Sequence, residues 1–152
     1  MRRILFLFLL FSISVSAQKI DRKVFYEFNE NVDFRIYNMS KSRTTSRNHL
    51  TYIAKKGQRY ISMTLELRNN SSETQIVDFR DFYLLDANSK LNELEMVIKA
   101  MKLSANPKQF EQKIKPNKKI KVGIEFKYPI SKEEIIKTIV IDGRKIELEL
   151  KS

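Results

Sequence analysis

The segment from Arg59 to Arg68 alternates between apolar and polar side chains. A period of two residues matches the alternating faces of a β-strand and not the 3.6-residue period of an α-helix. The segment therefore predicts an antiparallel strand with one face on a core and the other toward solvent. The apolar side chains that would face the core are Ile61, Met63, Leu65 and Leu67.

Two further segments alternate in the same way, Lys119–Tyr128 and Lys145–Lys151. The second follows Ile139-Val140-Ile141 and then Asp142-Gly143. That dipeptide predicts a tight hairpin turn, because both central residues of a type I′ turn need a positive φ. Weaker strand patterns cover five more segments: Val24–Phe28, Val32–Met39, His49–Ala54, Ile76–Phe79 and Phe82–Leu85.

Two segments are less regular. Leu91–Leu103 fits both helical spacing and strand alternation, so we predict a strand for its first half and leave residues 97–105 open between helix and strand. Ser131–Lys137 predicts a short helical turn, because Ser131 and Glu134 have the spacing of a capping box.

About eight or nine short strands joined by polar turns predict an all-β domain, and this count is typical of an immunoglobulin-like two-sheet β-sandwich. The chain has no Cys and no Trp. It therefore lacks the disulfide and the buried Trp of antibody domains, and the expected likeness is one of architecture. We assign residues 18–152 to this single domain.

The N-terminus has the pattern of a secretory signal peptide. Two arginines precede the apolar run Ile4–Phe11, and Val15 and Ala17 provide the small residues of a cleavage site. The alternative is a transmembrane anchor, but residues 4–17 supply 14 residues where a bilayer needs ~20. We predict a helical signal peptide over residues 1–17, cleavage after Ala17, and a periplasmic or secreted protein without a transmembrane span in the mature chain. The absence of Cys excludes a lipoprotein anchor.

The chain is basic, with 29 Lys and Arg residues against 18 Asp and Glu residues and a formal net charge of +11. In a cytosolic protein this balance would first indicate nucleic acid, but export makes nucleic acid a poor candidate. Envelope lipids, anionic polysaccharides and acidic proteins are the acidic partners that an exported chain would meet. Solubility without a specific partner is the alternative explanation of the charge.

No catalytic pattern stands out. His49 is the only histidine; it lies outside any nucleophile-elbow pattern and is expected at the start of a strand. Cys nucleophiles are excluded, and zinc needs several His or Cys ligands. We therefore predict no enzyme activity, no cofactor and no metal.

Two alternatives stay open. Calcium needs clustered oxygen ligands, and one set of side chains could supply them, although turns and strand ends explain the same residues equally well: Asp33, Asp78, Asp81, Asp86 and Asn88. A hydrolase would need paired carboxylates, and six glutamates lie on predicted strands, where we expect most of them to be solvated: Glu66, Glu93, Glu95, Glu125, Glu147 and Glu149.

Two basic clusters are the best functional candidates. The first falls within nine residues, and we expect Glu147 and Glu149 of a neighbouring last strand to neutralise part of it: Lys113, Lys115, Lys118, Lys119 and Lys121. The second has no obvious acidic partner nearby, so we assign it as the ligand-binding candidate: Arg43, Arg47, Lys55, Lys56 and Arg59.

Several strand and turn signatures recur in order along the chain. They are Gly57-Gln58-Arg59-Tyr60 before a long strand into Asn69-Asn70-Ser71, then Asp81-Phe82-Tyr83-Leu84-Leu85-Asp86, then Ile114-Lys115-Pro116-Asn117 before Val122-Gly123-Ile124-Glu125-Phe126, and then Pro129. Over Gly57 to Leu150 the chain thereby resembles an uncharacterised family of bacterial secreted immunoglobulin-like domains that includes a mycobacterial immunoprotective secreted antigen. That family usually has Pro-Gly at Pro116-Asn117, and Asn tolerates the same left-handed backbone conformation. The resemblance implies a β-sandwich and an extracytoplasmic location, and it implies no activity and no site residue.

The sequence thus predicts an exported, non-enzymatic binding module whose loops or basic face meet a protein or an anionic envelope component. The alternatives are a hydrolase that uses strand-end carboxylates, and a structural domain that pairs with a partner through an edge strand.

Overall fold

The computed structural model describes residues 20–99 and 109–151, and every regular element within them is a β-strand. All strand pairs in this part of the chain are antiparallel. The strands are β1 (Tyr26–Asn29), β2 (Val32–Ser42), β3 (Thr44–Arg47), β4 (Leu50–Ile53), β5 (Gln58–Asn69), β6 (Gln75–Asp78), β7 (Phe82–Leu85), β8 (Leu91–Lys99), β9 (Glu111–Ile114), β10 (Lys119–Phe126), β11 (Ile130–Ser131), β12 (Thr138–Ile141) and β13 (Arg144–Glu147).

The alternation of side chains in β5 predicts its buried face correctly. Ile61, Met63, Leu65 and Leu67 are at most 2% exposed. β5 lies between β2 and β10 in the sheet, so both of its edges are hydrogen-bonded over most of its length. The strongest strand pattern in the sequence is therefore the centre of the fold.

A single path of hydrogen-bonded strands runs β1-β2-β5-β10-β8-β7-β12-β13, while β11 pairs with β5. Two separate two-stranded sheets, β3-β4 and β6-β9, stand beside it. β8 joins the two halves of the path: Leu91 and Glu93 pair with β7, whereas Leu94 and Lys99 pair with β10. A register shift opposite Glu125 and Phe126 marks the transition between these pairings, as a β-bulge does where a strand bends from one layer to the next.

The two halves of the path pack face to face. Phe82 of β7 has its ring centroid 6.0 Å from that of Phe34 in β2 and 6.4 Å from that of Phe126 in β10. Neither β2 nor β10 is a hydrogen-bonded neighbour of β7, so these contacts cross the space between layers. The predicted all-β sandwich is confirmed.

The predicted tight turns are also confirmed. Asp142 and Gly143 have φ values of 49° and 76°, as a type I′ turn requires. Asn117 has φ 53° and therefore adopts the left-handed conformation expected in place of glycine.

The predicted helical turn over Ser131–Lys137 is wrong. Ser131 belongs to β11, and Lys132 donates its backbone N–H to Gly57 O at 2.9 Å. The half-buried Lys41 competes for the local carbonyls, since its Nζ donates to the carbonyl oxygens of Lys132 and Glu134 at 3.2 Å and 2.5 Å. Burial lowers the pKa of Lys41, although the nearby Glu134 carboxylate acts against this shift.

The Glu134 side chain does not complete a capping box. Its Oε1 accepts a hydrogen bond from the backbone N–H of Ala87 at 2.8 Å, and the Glu134 N–H donates to Ser131 O at 3.1 Å. The segment thus closes one turn and is then held by contacts with other loops.

The predicted position of the last strand is wrong as well. β13 pairs with β12, and Glu147 lies opposite Thr138, whose Oγ1 donates to the carboxylate at 3.0 Å. β10 lies between β5 and β8, so Glu147 does not lie across from Lys119–Lys127. The hairpin β12–β13 belongs to the other layer of the sandwich. Leu150 lies on the apolar phase of the predicted strand Lys145–Lys151, which should face inward, but it is 40% exposed.

The first half of the ambiguous segment Leu91–Leu103 is a strand, as predicted, and residues 97–99, which the sequence left open, continue this strand to Lys99. Its remainder from residue 100 and the predicted signal peptide lie outside the described residues.

Candidate binding surfaces

The hairpin β3–β4 stands outside the main path of strands. Its register places Arg47 opposite Leu50, and the two intervening residues, Asn48 and His49, have φ values of 48° and 65°. Two positive φ values are typical of a type I′ turn. His49 is therefore an exposed turn residue directly before β4.

A largely buried ion pair fixes the hairpin to the sandwich. Arg47 Nη2 and Nε lie 2.9 Å and 3.1 Å from Glu125 Oε1, and Thr45 Oγ1 donates to the same carboxylate at 2.7 Å. Both charged side chains are 12% exposed. The guanidinium also donates to the carbonyl oxygens of Lys127 and Phe126 at 3.1 Å.

Arg47 is consequently a positioning residue for the hairpin and is not free to bind a ligand. Its guanidinium lies over the rings of Tyr60 and Tyr52, 5.1 Å and 5.7 Å from their centroids. The prediction that this basic cluster lacks acidic partners is wrong for Arg47, because the β10 residue Glu125 is far away in sequence.

The other members of the predicted cluster are not in ion pairs with any described residue. Arg43, Lys55 and Lys56 are exposed. Arg59 is half-buried and donates from Nη1 to Gln58 O at 2.7 Å. The structure thus gathers exposed cations at the base of the hairpin.

All four residues of β4 are exposed. Leu50, Tyr52 and Ile53 have 60%, 41% and 65% of their surface accessible. In the described part of the chain β4 pairs with β3 alone, so its other edge carries unpaired backbone groups.

The structure separates the lysines of the first basic cluster, residues 113–121, into two groups. Lys119 Nζ lies 3.8 Å from Glu66 Oε1, and Lys121 Nζ lies 3.6 Å from the centroid of the Tyr37 ring. Lys113, Lys115 and Lys118 instead surround a cavity of about 360 Å³ together with Ile120 and Lys99. Sequence reasoning missed Lys99, which β8 brings to this place and which has no sequence signal linking it to the cluster.

Two of the six glutamates lie outside the solvated environment that was predicted for most of them. Glu66 is buried, with Oε1 3.0 Å from Arg35 Nη2, and the ring of Phe25 lies 5.1 Å from the Arg35 guanidinium. Glu125 is largely buried against Arg47. Glu93 is partly exposed and binds Lys127 Nζ at 2.6 Å, which raises the pKa of Lys127.

The calcium candidates are used in separate places. Asp33 binds Arg68 and Asn70 at 2.8 Å and 2.7 Å, whereas Asp86 Oδ1 accepts the backbone N–H groups of Asn88 and Lys90. Among the residues that the structure describes, no three acidic or histidine side chains come together as a metal site.

Across residues 20–99 and 109–151 there is also no helix with the length and hydrophobicity to cross a membrane.

Comparison with known structures shows the shared fold. The crystal structure of a conserved hypothetical protein from Bacillus anthracis superposes with a TM-score of 0.54 at 14% sequence identity, over 88% of this chain and 96% of that chain. An uncharacterized β-sandwich protein from Clostridium difficile 630 has a TM-score of 0.49 and 12% identity, over 84% of this chain and 90% of that chain. No curated protein matches the sequence.

The sequence also matches a family profile described as "Domain of unknown function (DUF4352)" over residues 26–146. This match begins at β1, ends within β13 and covers most of the chain. The chain therefore belongs to the family called Domain of unknown function (DUF4352).

Proposed function

We propose that the chain is an exported, non-enzymatic interaction module that binds an acidic, extended segment of a partner protein along β4. The single observation that carries this proposal is the open edge of β4, a strand whose four residues are all exposed. An unpaired strand edge is a template for another strand, because its N–H and C=O groups lack partners.

The charge around the hairpin favours an acidic partner. Residues 34–65 contain no Asp or Glu and seven Lys or Arg residues. Of these, Arg43, Lys55 and Lys56 are exposed beside the hairpin and have no ion pair with a described residue. Complementary charge steers association and sets the register of binding.

The direction of the apolar side chains favours strand pairing over insertion into a lipid surface. Insertion needs apolar side chains on one face. Leu50 and Ile53 are separated by an odd number of positions along β4, so they point to opposite faces of the hairpin. A strand that pairs along β4 could contact one of these side chains on each of its faces.

Export and the absence of catalysis are parts of the same proposal. Support for export comes from the paired arginines, the apolar run and the small residues before Gln18, and from the likeness to the secreted family with the mycobacterial antigen. The buried carboxylate of Glu66 and the largely buried carboxylate of Glu125 are held by Arg35 and Arg47, which supports a structural role for them. N-terminal sequencing of the protein from its native host tests export: a mature N-terminus at Gln18 is expected, and one at Met1 would contradict it.

The binding test compares two isoleucines in matched positions. Ile53 of β4 and Ile76 of β6 are 65% and 62% exposed, and each lies in a four-residue strand of a two-stranded sheet. The probe is a synthetic peptide that alternates Val and Glu. We expect Ile53→Glu to weaken its binding about tenfold and Ile76→Glu to change it within about twofold.

Amide hydrogen exchange identifies the mode of binding. Bound peptide should slow exchange in β4 and leave β6 unchanged. Equal loss of affinity in both variants would overturn the proposal. Binding of phosphatidylglycerol vesicles in place of the peptide would also overturn it, and would assign the hairpin to a lipid surface.

A further inference from the structure

Four lysines meet around one cavity on the side of the sandwich where β8 ends. Lys99 is the last residue of β8, Lys113 lies in β9, and Lys115 and Lys118 lie in the turn between β9 and β10. Together with Ile120 they line a space of about 360 Å³. We call this set the lysine pocket.

The charge of the lysine pocket is not neutralised within the protein. All 18 Asp and Glu residues fall within the part of the chain that the structure describes, and none forms an ion pair with these four lysines. Glu66 is instead bound by Arg35 and Lys119, and Glu111 by Arg80. The intervening residues 100–108 add two Lys residues and no acid to the sequence.

Four lysines line one space without an acidic partner. Like charges that lie close together repel each other, and a polyvalent anion bound among them would relieve such repulsion. Each ammonium offers three hydrogen-bond donors and no acceptor. The remaining lining is Ile120 and the alkyl stems of the lysines, which cannot hydrogen-bond to neutral hydroxyl groups. The pocket therefore selects for charge and for several acceptor oxygens in a small volume.

We propose that the lysine pocket binds a ligand with two or more adjacent phosphate groups. Adjacent phosphates concentrate several negative charges and many acceptor oxygens, which one carboxylate cannot do. Soluble polyphosphates carry such groups within one molecule, and phospholipid headgroups bring single phosphates side by side at a membrane surface. This site is independent of the peptide site on β4, because no residue is shared between them.

The neighbouring lysines provide matched controls. Lys121 is close in sequence but lies on the Tyr37 ring outside the pocket, and Lys145 is exposed in β13. The variant Lys113→Gln with Lys118→Gln and the variant Lys121→Gln with Lys145→Gln remove the same charge. Thermal melting of both variants checks that each is folded.

The experiment measures binding of inorganic pyrophosphate to the full chain by calorimetric titration, with citrate as the carboxylate comparison. We expect pyrophosphate to bind more tightly than citrate, and more weakly at higher salt. The pocket variant should lose about tenfold in affinity, and the control variant should stay within about twofold of the parent. Two competitors then distinguish the sources of phosphate: vesicles of phosphatidic acid represent a lipid surface, and tripolyphosphate represents a soluble ligand. The preferred source should displace pyrophosphate from the pocket.

Two results would overturn the proposal. If both double variants lose affinity equally, the effect is one of net charge. If citrate binds as well as pyrophosphate, the pocket does not recognise adjacent phosphates. Neither result bears on the Val-Glu peptide, whose binding depends on Ile53.

Discussion

Arg43 and Arg47 are arginines of the same predicted cluster with opposite surroundings. Arg43 is exposed, whereas Arg47 shares a largely buried ion pair with Glu125 and its guanidinium lies over two tyrosine rings. Removing one partner of a buried pair leaves an uncompensated charge, and this costs more than the pair itself contributes.

Arg47→Ala should therefore lower the free energy of unfolding by about 3 kcal/mol. Arg43→Ala should change it by ~0.5 kcal/mol or less. Urea denaturation of both variants gives the two values, and hydrogen exchange in β3 shows whether the hairpin loosens first. Equal losses in the two variants would mean that the Arg47–Glu125 pair does not anchor the hairpin.

The burial of individual charged side chains is not predicted by the sequence. The type of residue at Arg47 and Glu125 predicts an exposed charge in both cases, and the two positions are 78 residues apart. The same holds for Glu66. Its place on the polar face of β5 predicts exposure to solvent, but Arg35 of β2 covers its carboxylate. Alternation predicts which face a side chain lies on, but not whether another element packs over that face.

At the scale of elements, the local rules of turns and strands predict most of the fold. Asp142-Gly143 and Pro116-Asn117 turn where expected, and β7 begins and ends at the predicted residues. β3 escaped prediction, because Thr44–Arg47 has no apolar alternation and the turn that follows it contains no glycine. The segment Ser131–Lys137 was mispredicted, because contacts from Lys41 and Ala87 override its local capping signal.

Replacing either of two glycines with alanine should change the free energy of unfolding, and the two changes should have opposite signs. Gly143 has φ 76° in the β12–β13 turn, where an L side chain is strained, so Gly143→Ala should destabilise the protein by about 1 kcal/mol. Gly123 lies in β10 without a positive φ, and an added Cβ would meet only Ile98 O at 3.8 Å. Because glycine weakens a strand by roughly 0.5–1 kcal/mol relative to alanine, Gly123→Ala should stabilise the protein.

Thermal and urea denaturation of the two glycine variants provide the measurement. Destabilisation by both substitutions would show that the outer face of β10 has no room for a methyl group.

At the scale of the whole molecule, the order of the strands determines which lysines form the lysine pocket. Lys113, Lys115 and Lys118 stand out in the sequence as a cluster, but Lys119 and Lys121 look equivalent to them. The structure separates them because the turn before β10 and the end of β8 meet on one side, while Lys119 and Lys121 lie by Glu66 and Tyr37. Which lysines share a cavity follows from strand order, and strand order is not contained in the alternation of side chains.

The same topology makes Phe82 the residue on which closure of the two layers depends most. Its ring centroid lies within 6.4 Å of those of four other phenylalanines, from β1, β2, β10 and the loop before β7: Phe28, Phe34, Phe126 and Phe79. Phe82→Ala would leave a cavity between the layers and should lower the free energy of unfolding by about 3–5 kcal/mol. Phe82→Leu, which keeps most of the volume, should cost less than ~3 kcal/mol and keeps the test informative if the alanine variant does not fold.

The control is Tyr83→Ala on the same strand, which points away from the core and should cost about 1 kcal/mol. Urea denaturation followed by tyrosine fluorescence compares the variants, and a loss for Phe82→Ala no greater than that for Tyr83→Ala would contradict the packing of two layers on this ring.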